Sequence, residues 1–103
     1  MKLIYSTQAM LEMDEIAAFI QQRSPRSALR FLEAVETTCQ RLLRFPEFGA
    51  VYETVPRTDD LRVCLVSGFE KHLVFYRIRK DEIHIERVVN GTRDLPSILK
   101  EGK

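Results

Sequence analysis

The stretch from His72 to Asp94, HLVFYRIRKDEIHIERVVNGTRD, decides the fold. It reads as two strands of alternating character joined by a tight polar turn at Lys80 and Asp81, with Asn90-Gly91 ending the second strand. Strand side chains point to opposite faces in turn, so a clean period of two marks a sheet whose faces differ. The first strand sets His72, Val74, Tyr76 and Ile78 on one face and Leu73, Phe75, Arg77 and Arg79 on the other. The second sets Ile83, Ile85, Arg87 and Val89 in one row. Arg87 is the anomaly. An arginine in an apolar row either pairs locally or serves an anionic partner.

Working outward, Leu61 to Val66 is a further strand, closed by a turn at Ser67-Gly68. Glu47 to Asp60 reads as an ordered loop, with Phe48, Val51, Tyr52 and Val55 expected to pin it to the body. Ser24-Pro25 opens a helix, because serine caps well and proline at the first helical position loses no hydrogen bond. Its stripe is Ala28, Phe31, Leu32, Val35, Cys39, Leu42 and Leu43, and Phe45-Pro46 stops it. Before it, Ser6 or Thr7 caps a first helix with the stripe Ala9, Met13, Ile16, Ala17 and Ile20, while Glu12, Asp14 and Glu15 are placed off that stripe. Lys2 to Tyr5 is a short N-terminal strand. The expectation is a single α+β domain over residues 1–103. It has an N-terminal strand and an antiparallel two-helix hairpin packed on a mainly antiparallel sheet of about four strands. The far sheet face is expected to stay partly open and to carry arginines.

The bulk numbers agree with one globular domain: 103 residues, 45% hydrophobic and 30% charged. Net charge is +1, from 16 basic and 15 acidic residues, a weak footprint for a protein that lives on bare nucleic acid. Cys39 and Cys64 fall in helix and strand patterns and read as small buried hydrophobes in a reducing compartment. No signal peptide and no membrane-length apolar run is visible, so a cytoplasmic location without membrane partners is expected. Two histidines and two cysteines at 39, 64, 72 and 84 lack the close ligand pairs of a zinc site, and no phosphate-cradling glycine loop or nucleophile motif occurs. No metal and no cofactor is therefore expected.

In their order and spacing, these pieces resemble the RelE/ParE superfamily of toxins from bacterial toxin–antitoxin pairs. The resemblance covers nearly the whole chain. It is carried by Met13-Asp14-Glu15-Ile16-Ala17-Ala18-Phe19-Ile20, Ser24-Pro25, Ala28 to Phe31 and Leu43-Arg44-Phe45-Pro46-Glu47-Phe48-Gly49. It continues through Leu61-Arg62, Leu73 to Ile78 and Ile83 to Val89, with Arg93-Asp94. Within the superfamily the chain looks more like the ParE branch, known for trapping DNA gyrase on cut DNA and halting replication. The RelE branch is known for cutting mRNA in the ribosomal A site. The resemblance implies a cognate antitoxin, ParD-like or related, whose C-terminal segment wraps the toxin in a hetero-oligomer. ParE-like chains often end the last strand in His-Gly; here Asn90 stands in place of that histidine.

Cutting RNA through its 2′-hydroxyl needs a base, an acid and cations on the phosphate. Near-neutral charge, and a tail from Leu95 to Lys103 without Tyr or His, favour gyrase binding over that chemistry, so no catalytic residue is assigned. Direct sequence-specific nucleic-acid binding is not expected. The candidate target-binding residues are Arg62, Lys71, Arg77, Arg87, Asn90 and Arg93. For Arg62, Arg87 and Arg93 the bland alternative is surface pairing with Glu86, Asp94 or Asp81, which adds about 0–1 kcal/mol each. Leu11, Phe19 and Leu29 lie off the main stripes and are candidates for an antitoxin groove. The runner-up is a ribosome-dependent mRNA endonuclease. A third reading is a decayed toxin that only binds antitoxin.

Overall fold

A computed structural model describes residues 1–53, 60–92 and 94–95 of the chain. Strand β1 is Lys2–Tyr5. Ser6 then ends the strand and caps helix α1, Thr7–Gln21. Its Oγ accepts from the Ala9 N–H at 2.9 Å and donates to the Glu86 carbonyl at 2.8 Å, so one hydroxyl both starts the helix and fastens it to the last strand. Helix α2, Pro25–Arg44, starts the same way, with Ser24 Oγ accepting from the Ser27 N–H at 3.1 Å and proline in the first turn. Arg41 and Arg44 in its last turn suit the negative end of the helix dipole.

The remaining strands are β2 (Ala50–Val51), β3 (Arg62–Val66), β4 (Phe69–Arg79) and β5 (Glu82–Asn90). They form one sheet in the order β1-β5-β4-β3-β2. The first strand lies parallel to the last, with Leu3 opposite Ile83 and Tyr5 opposite Ile85; the other pairings are antiparallel. The sheet has five strands rather than about four. The addition is β2, two residues inside the expected loop that pair Ala50 with Val63 and Val51 with Arg62. The turn at Lys80 forms as its sequence suggests, with Lys80 in the left-handed region at φ 52°.

The helices cover one sheet face. Phe31, Val35, Cys39 and Leu42 of α2 and Ala9 and Ala17 of α1 pack on Val74, Tyr76, Ile83, Ile85 and Val88. Each large side chain buried there contributes about 1.5–3 kcal/mol of transfer free energy. The opposite face is partly open and carries Arg77 and Arg79, which keep 21% and 45% of their side-chain surface exposed. It holds a second apolar cluster of Leu61, Phe75 and Val89, onto which Tyr52, Leu73 and Leu95 pack. The Tyr52 ring meets Phe75 edge-on at 5.1 Å.

The expected row Ile83, Ile85, Arg87, Val89 is broken by a bulge. Phe75 pairs with Arg87 while Tyr76 pairs with Ile85, leaving Glu86 as an extra residue in β5. The extra residue reverses the alternation, so Val88 enters the helix-side core and Val89 the second cluster. Arg87 is buried, and it meets Glu12 of α1, which is equally buried rather than off the stripe. Arg87 Nε donates to Glu12 Oε2 at 2.8 Å and its Nη2 donates to the same oxygen. The other carboxylate oxygen, Oε1, accepts the Val88 backbone N–H at 3.0 Å.

A second fastening holds the segment after α2. The Tyr76 hydroxyl donates to the Pro46 carbonyl at 2.7 Å and accepts the Gly49 N–H at 2.8 Å, while Arg62 Nη1 donates to the Gly49 carbonyl at 2.7 Å. A Cβ on Gly49 would sit 2.7 Å from the Tyr76 ring and hydroxyl and 2.8 Å from the Val63 carbonyl, so only glycine fits. Of the residues expected to pin this loop, Tyr52 does so, Phe48 and Val51 are exposed, and Val55 lies outside the described residues.

Removing the Glu12 carboxylate withdraws the counter-charge that Arg87 meets in the interior. Glu12→Gln is expected to destabilise the fold by about 3–5 kcal/mol in urea denaturation. The double variant Glu12→Gln/Arg87→Met keeps an acceptor for the Val88 N–H and removes the charge, so it should recover most of that loss. A double variant no more stable than the single would mean that the pair is not the source of the cost. Gly49→Ala is expected to lose about 1–3 kcal/mol through overpacking against Tyr76 and the Val63 carbonyl, read by the same denaturation.

Candidate functional site

The end of β1 creates the site. Beyond Ile85, β5 has no strand beside it on that side among the described residues, because the chain leaves the sheet at Ser6 and returns overhead as α1. Glu12, Glu15, Ile16, Phe19 and Ile20 are linked by three- and four-residue spacings (12/15, 12/16, 15/19, 16/19 and 16/20), so they share one face of α1. Val88, Val89 and Asn90 of β5 and His72 of β4 form the other side. Between them lies a groove of about 490 Å³. Phe19 is 69% exposed on its rim. Glu12 is neutralised by Arg87 and takes up the Val88 N–H, which leaves Glu15 as the exposed acid of the lining.

The register fixes the far end. His72 and Asn90 face each other across β4 and β5, and the Gly91 N–H donates to the Lys71 carbonyl at 2.7 Å. Asn90 Oδ1 accepts both the Thr92 N–H at 2.9 Å and the Thr92 hydroxyl at 2.7 Å. That side chain organises a turn, as Asn before Gly commonly does. The His72 ring packs edge-on against Phe31 at 5.1 Å. Burial pushes its pKa down from 6.5, and the neighbouring Lys71 charge acts in the same direction.

The target-binding candidates divide among separate places. Lys71 is exposed at the end of the groove and Asn90 lines it. Arg62 lies across the sheet beneath the loop at Gly49. Arg77 is on the face away from the helices, 3.6 Å from Glu86. Arg87 belongs to no exposed patch, being buried on Glu12, a partner outside the three acids expected for it. Arg93 lies outside the described residues. Of the groove candidates, Phe19 lines the groove, whereas Leu11 and Leu29 are exposed elsewhere on their helices. The sequence reading missed Glu12, Glu15, Ile16, Ile20, His72, Val88 and Val89 as one surface. The available signal was the three- and four-residue spacing from Glu12 to Ile20 on α1.

The two histidines do not converge. His84 Nε2 lies 2.7 Å from Glu82 Oε1 on the sheet face away from the helices, while His72 is on the helix side. Burial pushes the Cys39 thiol up to about 12 and the Cys64 thiol up to about 11, so both stay protonated and inert near neutral pH. Among the described residues no group of three or more His, Cys, Asp or Glu is placed to hold a metal ion, and no helix is long and apolar enough to cross a membrane.

Fold and groove together define a small α+β domain with a helix on one wall of the groove and, among the described residues, a strand without a lateral neighbour on the other. A family profile, the ParE toxin of the type II toxin–antitoxin system parDE, matches residues 3–95, and the chain belongs to that family. Among solved structures, a chain of the chromosomal ParDE toxin–antitoxin system from P. aeruginosa has a TM-score of 0.69 and 19% identity, covering 87% of this chain and 95% of its own. At that identity the likeness concerns the fold. No curated protein matches the sequence.

The position of His72 generates a pH dependence. A histidine held neutral in the folded state favours folding above its unfolded value of 6.5, and that contribution drains away as pH falls from 6.5 toward the lower folded value. The urea midpoint should therefore drop between pH 7.5 and pH 5.5, and His72→Gln should flatten part of that drop. An unchanged slope in the variant would assign the dependence to other groups.

Proposed function

We propose that this chain is a toxin that binds DNA gyrase in the cytoplasm and is silenced by a cognate antitoxin seated in the groove between α1 and β5. The carrying observation is that groove, lined by Ile16, Phe19, Ile20, Val88 and Val89, in a chain of the ParE toxin family. An apolar cleft beside a strand that lacks a neighbour among the described residues suits an amphipathic helix or an added strand. Phe19 left bare costs solubility, which fits a protein kept in complex with its antitoxin in a hetero-oligomer.

Binding rather than catalysis accounts better for the polar groups. An RNA-cleaving site needs base, acid and phosphate-binding cations within reach of one hydroxyl. Here His72 and His84 lie on opposite sheet faces, Arg87 is committed to Glu12, and Arg62 to the loop at Gly49. The exposed cation at the groove end is Lys71, with Asn90 across from its neighbour His72 and Arg93 following shortly in sequence. We assign Lys71 to the target contact, with Arg93 as its companion. An antitoxin filling the groove passes over Asn90 and blocks the approach to Lys71, so one surface serves both neutralisation and poisoning. Arg62 and Arg77 support the surrounding structure.

Pulse labelling after induction without antitoxin tests the target. DNA synthesis is expected to fail before protein synthesis, and purified gyrase should accumulate cut DNA in the presence of the chain. Protein synthesis failing first would move the target to the ribosome, and no effect on either would leave a binding module without toxicity. Lys71→Glu should reduce killing while antitoxin still binds, whereas Phe19→Asp should keep killing but escape neutralisation. The reverse pattern would exchange the two assignments.

A further inference from the structure

At the opposite border of the sheet, far in the strand order from the groove, the segment after α2 presents two phenylalanines to solvent. Phe45 is 57% exposed and Phe48 56%. They are not loose. The Phe48 N–H donates to the Phe45 carbonyl at 3.0 Å, and Tyr76 and Arg62 grip the backbone at Pro46 and Gly49 from beneath. Each ring also carries a guanidinium: the Arg41 carbon Cζ lies 5.6 Å from the Phe48 centroid, and that of Arg44 lies 5.9 Å from the Phe45 centroid. Neither arginine meets a carboxylate among the described residues. Beside them β2 ends the sheet, with Val51 41% exposed.

We infer that this corner is a second docking surface, for an extended acidic segment of a partner protein. Its carboxylates would face Arg41 and Arg44, its apolar side chains would cover Phe45 and Phe48, and its backbone would lie along β2. Three observations favour that occupant. Rings held in place by a fastened backbone lose little freedom on binding, and aromatic and arginine side chains dominate binding energy at protein interfaces. Two unpaired guanidiniums disfavour a second copy of this chain, since a twofold contact here would set like charges against each other. A net charge of +1 and two cations give little grip on a phosphate backbone, while a terminal strand suits a peptide. The surface is separate from the groove, so the inference stands apart from the assignment of gyrase and antitoxin.

The test uses the ¹⁵N-labelled full chain and a capped seven-residue peptide alternating glutamate with valine and phenylalanine. Its lysine counterpart and a single-stranded thymidine oligonucleotide are the controls. The acidic peptide is expected to shift the amides of residues 41–51 and 62–66, and Arg41→Glu/Arg44→Glu should weaken it about tenfold or more. Arg44 is exposed and Arg41 half-buried, and an unchanged spectrum elsewhere certifies the fold of the variant. Equal response to the lysine peptide would reduce the corner to unselective apolar contact. Stronger response to the oligonucleotide would make it a nucleic-acid surface, and no shift at all would remove it as a site. Self-association relieved by Phe48→Ser would assign it to a second copy. Each of these four results overturns the inference.

Discussion

The Glu12–Arg87 pair is the constraint on which the arrangement turns. Its members come from the first helix and the last strand, and the same carboxylate takes up the Val88 backbone N–H. Burying two charges is costly, and the interaction repays that cost only when geometry is good and the remaining hydrogen-bonding capacity is used. Here one oxygen serves the guanidinium and the other serves a strand N–H that would otherwise lack an acceptor where β1 has ended. The pair therefore fixes how α1 lies over β5. That angle in turn sets how far Phe19 and Ile20 stand from Val89 and Asn90, which is the width of the groove.

Much of the fold is legible in the sequence because its signals are local. Ser6 and Ser24 announce the two helices, Pro25 places the start of the second, and the alternation from Val74 to Ile85 gives the hairpin and its faces. Cys39, Cys64 and Tyr76 fall where their patterns place them, with the Tyr76 hydroxyl finding the backbone at Pro46 and Gly49. What escapes reading is of longer range. The bulge at Glu86 leaves no local mark, so Val88 and Val89 exchange the faces that strict alternation assigns them. The two-residue strand β2 exists through pairing with β3, too short to carry a pattern of its own.

The site was harder to read than the fold for a related reason. The charge of an arginine is visible in a sequence, but its partner is not. Arg87 and Glu12 each stand at core spacing in their elements, Glu12 three residues after Ala9 and four before Ile16. Two charges at core positions of opposite sign imply each other, and that is the clue local reading passes over. Arg62 is likewise absorbed by backbone carbonyls after α2, contacts that appear only when a loop is laid across a strand. Phe19 was legible because an aromatic side chain off a helix stripe has no core to enter. Leu11 and Leu29 satisfy the same criterion and yet line no groove, so the criterion finds exposure rather than function.

The parallel pairing of β1 with β5 also delays folding relative to synthesis. Lys2 lies opposite Glu82, and Glu12 meets a residue 75 positions later, so the contacts that close the domain join opposite ends of the described chain. Long-range pairing must meet its loop-closure entropy before any contact rewards it, which slows folding. During translation, at about 5–20 residues per second, the helical hairpin emerges seconds before the strand that will cover it. In that interval Phe31, Val35 and Leu42 have no sheet to enter, and β5 is the last piece of the groove to be made. The chain thus closes its groove in one late step rather than by increments, and that step waits for β5.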